Sequence, residues 1–176
     1  MDRNKLRSLT AAAMLTAITA VCAQIMVPLP FTPVFFSLAV LAVFLSGAVL
    51  PPRWAAASQL CYLALGCFGV PVFGGFKGGP GVVLGPTGGY LIAYPLMALV
   101  IALLLRGRKK TFWRCMGAMI LSLAVCYILG TAWFCVQSGA DVAKALGACV
   151  IPFILPDLLK GAAASFSAVA LSKARR

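Results

Sequence analysis

The sequence contains no histidine and only three acidic residues, Asp2, Asp141 and Asp157. Proton-shuttling catalysis, histidine metal sites and paired-carboxylate hydrolysis therefore lose their usual participants, and an enzyme is not expected. Charged residues make up 10% of the chain, against about 25% in a soluble domain. Hydrophobic residues reach 62% and the mean hydropathy is +1.03, values that belong to a protein embedded in a lipid bilayer. Neither Gly-x-x-x-x-Gly-Lys-Ser/Thr nor Gly-x-Gly-x-x-Gly occurs, so the chain has no phosphate cradle of its own, and no cofactor is implied. The seven cysteines stand singly in apolar stretches without a Cys-x-x-Cys pair, and read as small buried hydrophobes rather than metal ligands. Asp2 to Arg7 followed by an apolar run imitates a secretory signal with Cys22 at a lipoprotein site, but Val21 is too bulky for the residue preceding such a cysteine.

What is abundant is long apolar sequence. A helix crossing about 30 Å of hydrocarbon needs about 20 residues. Six segments approach that length, at 8–27, 34–50, 54–70, 87–105, 115–136 and 153–172. They are separated by Pro28, Pro30 and Pro33, by Pro51 and Pro52, by the glycine-rich stretch 66–89, by Arg106 to Lys110, and by Ser138 to Lys144. The expected fold is an all-α membrane protein, a compact bundle of six transmembrane helices forming one substrate-binding domain over residues 1–176.

The formal net charge of +12 fits basic cytoplasmic loops rather than nucleic-acid binding. With the loops numbered alternately, Arg3, Lys5, Arg7, Arg53, Arg106, Arg108, Lys109, Lys110, Arg114, Lys173, Arg175 and Arg176 fall on one side. That is twelve against three, Lys77, Lys144 and Lys160. Both termini are therefore expected in the cytoplasm of a multi-pass plasma-membrane protein, and an odd number of spans would separate the two basic ends.

Three features are candidates for recognition. In the first span Ala12, Thr16 and Ala20 share one helical stripe, with Ala13 and Ala17 beside it. Small residues at this spacing let another helix approach closely, either within this chain or from a separate membrane subunit. Ten of the seventeen glycines lie between Gly66 and Gly89, Gly79 and Gly85 among them, with Pro71, Pro80 and Pro86 interspersed. Such backbone cannot continue a helix, and at membrane depth it is tolerated only against protein or a water-filled cavity, so it reads as the wall or lid of a ligand site, or as a passive external loop.

The third feature, Asp157 with Lys160, is the most informative. Three-residue spacing puts both on one helix face. Lys160 stands about 20 Å above Lys173 at about 1.5 Å per residue, within the outer leaflet. Charges there are costly unless paired and by default mark function. The pair offers a cation for an anionic solute and a carboxylate for N–H donors, unless it is an outer-boundary ion pair alone. Gln24, Thr32, Thr87 and Tyr90 lie near the same level and would surround one pocket mouth in a compact bundle. Trp54, Trp113 and Trp133 read as interfacial or packing anchors.

These motifs, taken together, resemble those of the biotin-specific S components of energy-coupling-factor vitamin transporters, the BioY family. The likeness runs along the whole chain through Ala13 to Ile25, Phe31 to Pro33, Gly69-Val-Pro-Val-Phe73, Gly85-Pro-Thr-Gly-Gly-Tyr-Leu91 and Pro156-Asp-Leu-Leu-Lys160. The resemblance implies a biotin pocket opening outward, capped by the loops after spans one and three. Its ligand-binding set would be Asp157, Lys160, Tyr90, Thr87, Gln24, Thr32, Lys77, Phe73, Gly79 and Gly85. It also implies a transmembrane coupling subunit gripping Ala12, Ala13, Thr16, Ala17 and Ala20, and two cytoplasmic ATP-binding subunits. Asp157 would take the ureido end of biotin, with Lys160 pairing Asp157 or reaching the valerate, for which Lys77 is the other candidate. The alternative is a stand-alone facilitator or secondary carrier for biotin or another small anionic solute. No repeat between residues 1–86 and 87–176 supports the inverted halves common in such carriers.

Overall fold

The computed structural model describes residues 3–27 and 36–174. Among these, eight helices run in the order α1 (Arg3–Gln24), α2 (Ala39–Val49), α3 (Pro52–Cys67), α4 (Pro80–Val83), α5 (Gly88–Leu105), α6 (Phe112–Ser138), α7 (Val142–Cys149) and α8 (Ile151–Ala174). Two short strands, β1 (Met26–Val27) and β2 (Phe36–Ser37), pair antiparallel and bracket residues 28–35. Four helices, α1, α5, α6 and α8, are long and apolar enough to cross a membrane. α2, with 11 residues, reaches only about 16 Å, and α3, with 16, about 24 Å.

The helix limits follow from local chemistry. α2 is shorter than the expected 34–50 because β2 occupies its start, where the Ser37 hydroxyl accepts the Ala39 N–H at 3.3 Å. Pro51 ends it, extended at ψ 151° because Pro52 follows. Pro52 then begins α3 at a position where a missing N–H costs nothing. Gly139, at φ 65°, closes α6 in the left-handed conformation that glycine tolerates. α4 and α7 fall in segments read as breaks. α7 buries Ala145 and Cys149, four residues apart on one face.

α5 forms the middle of the bundle: Ala93, Met97, Ala98 and Ile101 are fully buried, and it packs on α2, α3 and α6. Missing side chains make this possible. Gly47 on α2 lies where a Cβ would stand 2.8 Å from the Ala98 carbonyl, and Gly130 on α6 lies directly against the Tyr90 ring. One contiguous apolar core runs through α1, α2, α3, α5, α6 and α8.

A small polar hub crosses that core. Gln59 on α3, wholly buried, donates through Nε2 to Ser46 Oγ on α2 at 2.9 Å and to Thr19 Oγ1 on α1 at 3.2 Å. The Thr16 hydroxyl meets the Ser58 carbonyl at 2.8 Å. The alanine stripe is thereby divided. Ala12 and Thr16 are buried inside this chain and are withdrawn from any outside partner, whereas Ala13 and Ala17, about 100° further round the helix, are exposed and Ala20 is half-buried. Spacing alone identifies a stripe but not the side on which its own bundle lies.

The two ends of the bundle differ. Arg7 and Ala174 line one cleft and Arg106, Arg108 and Lys110 another, and Val49 to Pro51 contribute to both. The basic N-terminal, α5–α6 and C-terminal segments are thus gathered at one end. At the other, β1, β2 and the glycine-rich segment surround the clustered polar residues described next.

Candidate functional site

Asp157 and Lys160 sit two turns into α8, each about one-twentieth exposed. Pro156, lacking an N–H, leaves the Pro152 carbonyl without its helical partner just before them. Lys160 Nζ lies 2.7 Å from Asp157 Oδ1, and the Tyr127 hydroxyl on α6 donates to the other oxygen, Oδ2, at 2.8 Å. The Lys160 ammonium also lies 4.0 Å above the centre of the Phe36 ring, a cation–π contact from β2. Each charge would cost several kcal/mol if buried alone, and here every oxygen of the carboxylate has a donor.

Asp157, Lys160 and Tyr127 line a cavity of about 60 Å³, together with Cys126, Tyr90 and Tyr94. A second cavity, of about 140 Å³, is lined by Tyr62, Phe73, Lys77, Thr87, Tyr90 and Tyr94. Ser37, Tyr90 and Tyr94 belong to both walls, so the two are adjoining chambers. The first carries a balanced ion pair. Among the described residues, the second carries one cation, Lys77, at its exposed rim, and no acidic side chain. Aromatic surface with a few convergent polar groups is the usual composition of a small-molecule site.

Of the residues expected from sequence, Asp157 and Lys160 lie in the first chamber, Thr87, Lys77 and Phe73 in the second, and Tyr90 in both. Gln24, Gly79 and Gly85 line neither chamber. Gly79, at φ 98°, donates its N–H to the Gly66 carbonyl at 2.7 Å, and the Gly85 carbonyl accepts the Trp133 indole N–H at 2.9 Å. They shape the loop that forms the wall. Thr32 lies outside the described residues. Tyr127, Tyr62, Tyr94, Phe36 and Ser37 were not legible as site residues. A tyrosine in an apolar helix carries no mark of function.

Gln24 braces the glycine-rich segment. Its Nε2 donates to the Val72 and Phe73 carbonyls at 3.1 and 3.2 Å, and its Oε1 accepts the Phe76 N–H at 2.8 Å. Phe76 has φ 54°, a conformation unfavourable for a bulky side chain, so the brace holds a strained turn. Replacing Gln24 by Leu is expected to speed hydrogen exchange at the Phe76 amide at least about tenfold, the equivalent of one or two lost hydrogen bonds. An unchanged rate would show that the turn holds itself.

The BioY family model matches residues 1–176. A probable biotin transporter BioY of Pyrococcus horikoshii is 41% identical over 160 residues, covering 91% of this chain and 93% of that protein. The biotin transporter BioY of Thermotoga maritima is 39% identical over 170 residues, 96% and 97% of the two chains. A crystal structure at 2.1 Å of the S-component for biotin from an ECF-type ABC transporter superposes with a TM-score of 0.91 at 27% identity, covering 98% of this chain and 95% of that one. The relatives named here are called transporters, and the fold with its apolar helices is that of a membrane-embedded S component. By sequence along its whole length and by fold, this chain belongs to the BioY family.

Proposed function

We propose that this chain is the substrate-binding subunit of an energy-coupling importer, capturing biotin from outside the cell for ATP-driven uptake. The observation that carries the reading is the buried Asp157–Lys160 pair opening onto adjoining aromatic chambers. The ureido ring of biotin presents N–H donors that Asp157 accepts, and its fused rings suit walls of Tyr and Phe. Two relatives, 41% and 39% identical, carry the names probable biotin transporter and biotin transporter, and the solved S-component shares the fold, which supports the same ligand here.

The proposal includes six membrane crossings, with α2 and α3 joining the four longer helices, and both termini in the cytoplasm. The gathering of Arg7, Arg106, Arg108 and Ala174 at one end of the bundle, opposite the chambers, supports this orientation. With no phosphate-binding loop in the chain, the energy comes from two cytoplasmic ATP-binding subunits, linked through a transmembrane coupling subunit. The exposed Ala13 and Ala17 offer that subunit close helix contact.

Proteoliposome uptake tests the assembly. The chain alone should bind biotin without concentrating it, and adding the coupling and ATP-binding subunits should produce ATP-dependent accumulation. Accumulation by the chain alone would contradict the proposal. Ala13→Leu with Ala17→Leu should reduce uptake by the assembled complex at least about tenfold, the range expected when a close membrane helix contact is blocked. Biotin affinity of the isolated chain should stay within about twofold, since neither residue faces a chamber.

A further inference from the structure

Among the described residues, Tyr62 carries a hydroxyl that is buried yet has no hydrogen-bond partner. Tyr62 is 1% exposed and lines the larger chamber. Orphaned buried hydroxyls are rare in folded proteins and ask for an explanation. Two neighbouring rings pack against the Tyr62 ring. Phe73 meets it edge-on at 5.5 Å between centroids and 80° between planes, and Tyr94 stacks on it at 6.4 Å and 23°.

We infer that the Tyr62 hydroxyl donates a hydrogen bond to the acid end of the ligand, and so selects carboxylate-bearing molecules; this rests on the reading of the chambers as a biotin site. The charge distribution sets the orientation. A carboxylate in the smaller chamber would stand beside Asp157, which already engages Lys160, and like charges at such depth repel strongly. Among the described residues, the larger chamber has no acidic wall residue and has Lys77 at its rim. An elongated ligand spanning the shared wall of Ser37, Tyr90 and Tyr94 therefore leaves its N–H donors with Asp157 and its anion with Tyr62. A phenol donating to a carboxylate makes a charge-assisted bond, roughly twice as strong as a neutral one.

The test titrates purified full-length chain, wild type and Tyr62→Phe, with biotin and with biotinol, which ends in an alcohol in place of the acid. Tyr62→Phe should weaken biotin about tenfold, the loss of one hydrogen bond to a charged acceptor, and biotinol less than about twofold. The ligand-free variant should be as thermally stable as wild type, because a phenylalanine removes only an unpaired polar group. Unchanged biotin affinity, an equal loss for both ligands, or a ligand-free variant of lower thermal stability would each overturn the inference. The ratio of the two affinities within one preparation is independent of the fraction folded. Wild-type protein that binds no biotin would reject the functional reading itself, whereas wild-type binding with an unaltered Tyr62→Phe ratio would reject the role of Tyr62 alone.

Discussion

Asp157→Asn is expected to lower biotin affinity at least about 30-fold, since truncating one member of a buried, hydrogen-bonded charge pair costs on the order of 2–5 kcal/mol. The substitution preserves shape and removes charge. Lys160, 2.7 Å away, then loses its counter-ion and keeps a neutral acceptor and the Phe36 face, while the ureido N–H groups lose a charged acceptor. The ligand-free variant should also melt earlier, because an uncompensated ammonium remains buried. Adding Lys160→Met removes that charge and should recover the thermal stability without recovering biotin binding. This separation distinguishes a ligand site from a structural ion pair. Titration calorimetry and thermal melting of the three proteins measure it, and a double variant that binds biotin as wild type does would contradict the assignment.

Gly66→Ala should produce the second large effect. A Cβ at this position of α3 would fall inside the Phe73 ring, and no rotation of the alanine relieves the overlap. Phe73 has little room to retreat: it is 1% exposed, and its N–H and carbonyl pair with Lys77 at 3.0 and 3.2 Å. Overpacking of this kind costs about 1–3 kcal/mol, or about 3–10 °C of melting temperature in a chain of this size. Displacing Phe73 also frees one face of Tyr62, so biotin affinity should fall about tenfold, as for loss of one ligand hydrogen bond. Phe73→Leu in the Gly66→Ala background should restore part of the melting temperature. If Gly66→Ala alone left stability and binding intact, the glycine-rich segment would not be seated on α3 as described.

The sequence revealed what is rare in it. Two charges in an otherwise apolar helix stand out in any reading, and Asp157 with Lys160 are paired and buried at a chamber wall. The glycine-rich stretch was equally visible, and it holds Phe73, Lys77 and Thr87 at the second chamber. Tyr62, Tyr94 and Tyr127 were missed because an aromatic residue satisfies the same hydropathy pattern whether it faces lipid, core or ligand. The hub of Thr19, Ser46 and Gln59 was hidden for a related reason: its members are singly unremarkable and become a network only when α1, α2 and α3 meet. Likewise, Ala12 and Ala13 look interchangeable in the chain, although one is buried in the bundle and the other is exposed. Short elements were the other loss, since α4 and α7 lie where glycine, proline and charge signal a break.

A structure of the chain determined with biotin bound tests the central claim most directly. The ligand should span the two chambers, with a ureido N–H about 3 Å from an Asp157 oxygen and its fused rings between Tyr90 and Tyr94. Biotin seated elsewhere, with the Asp157–Lys160 pair closed and untouched by it, would contradict the account.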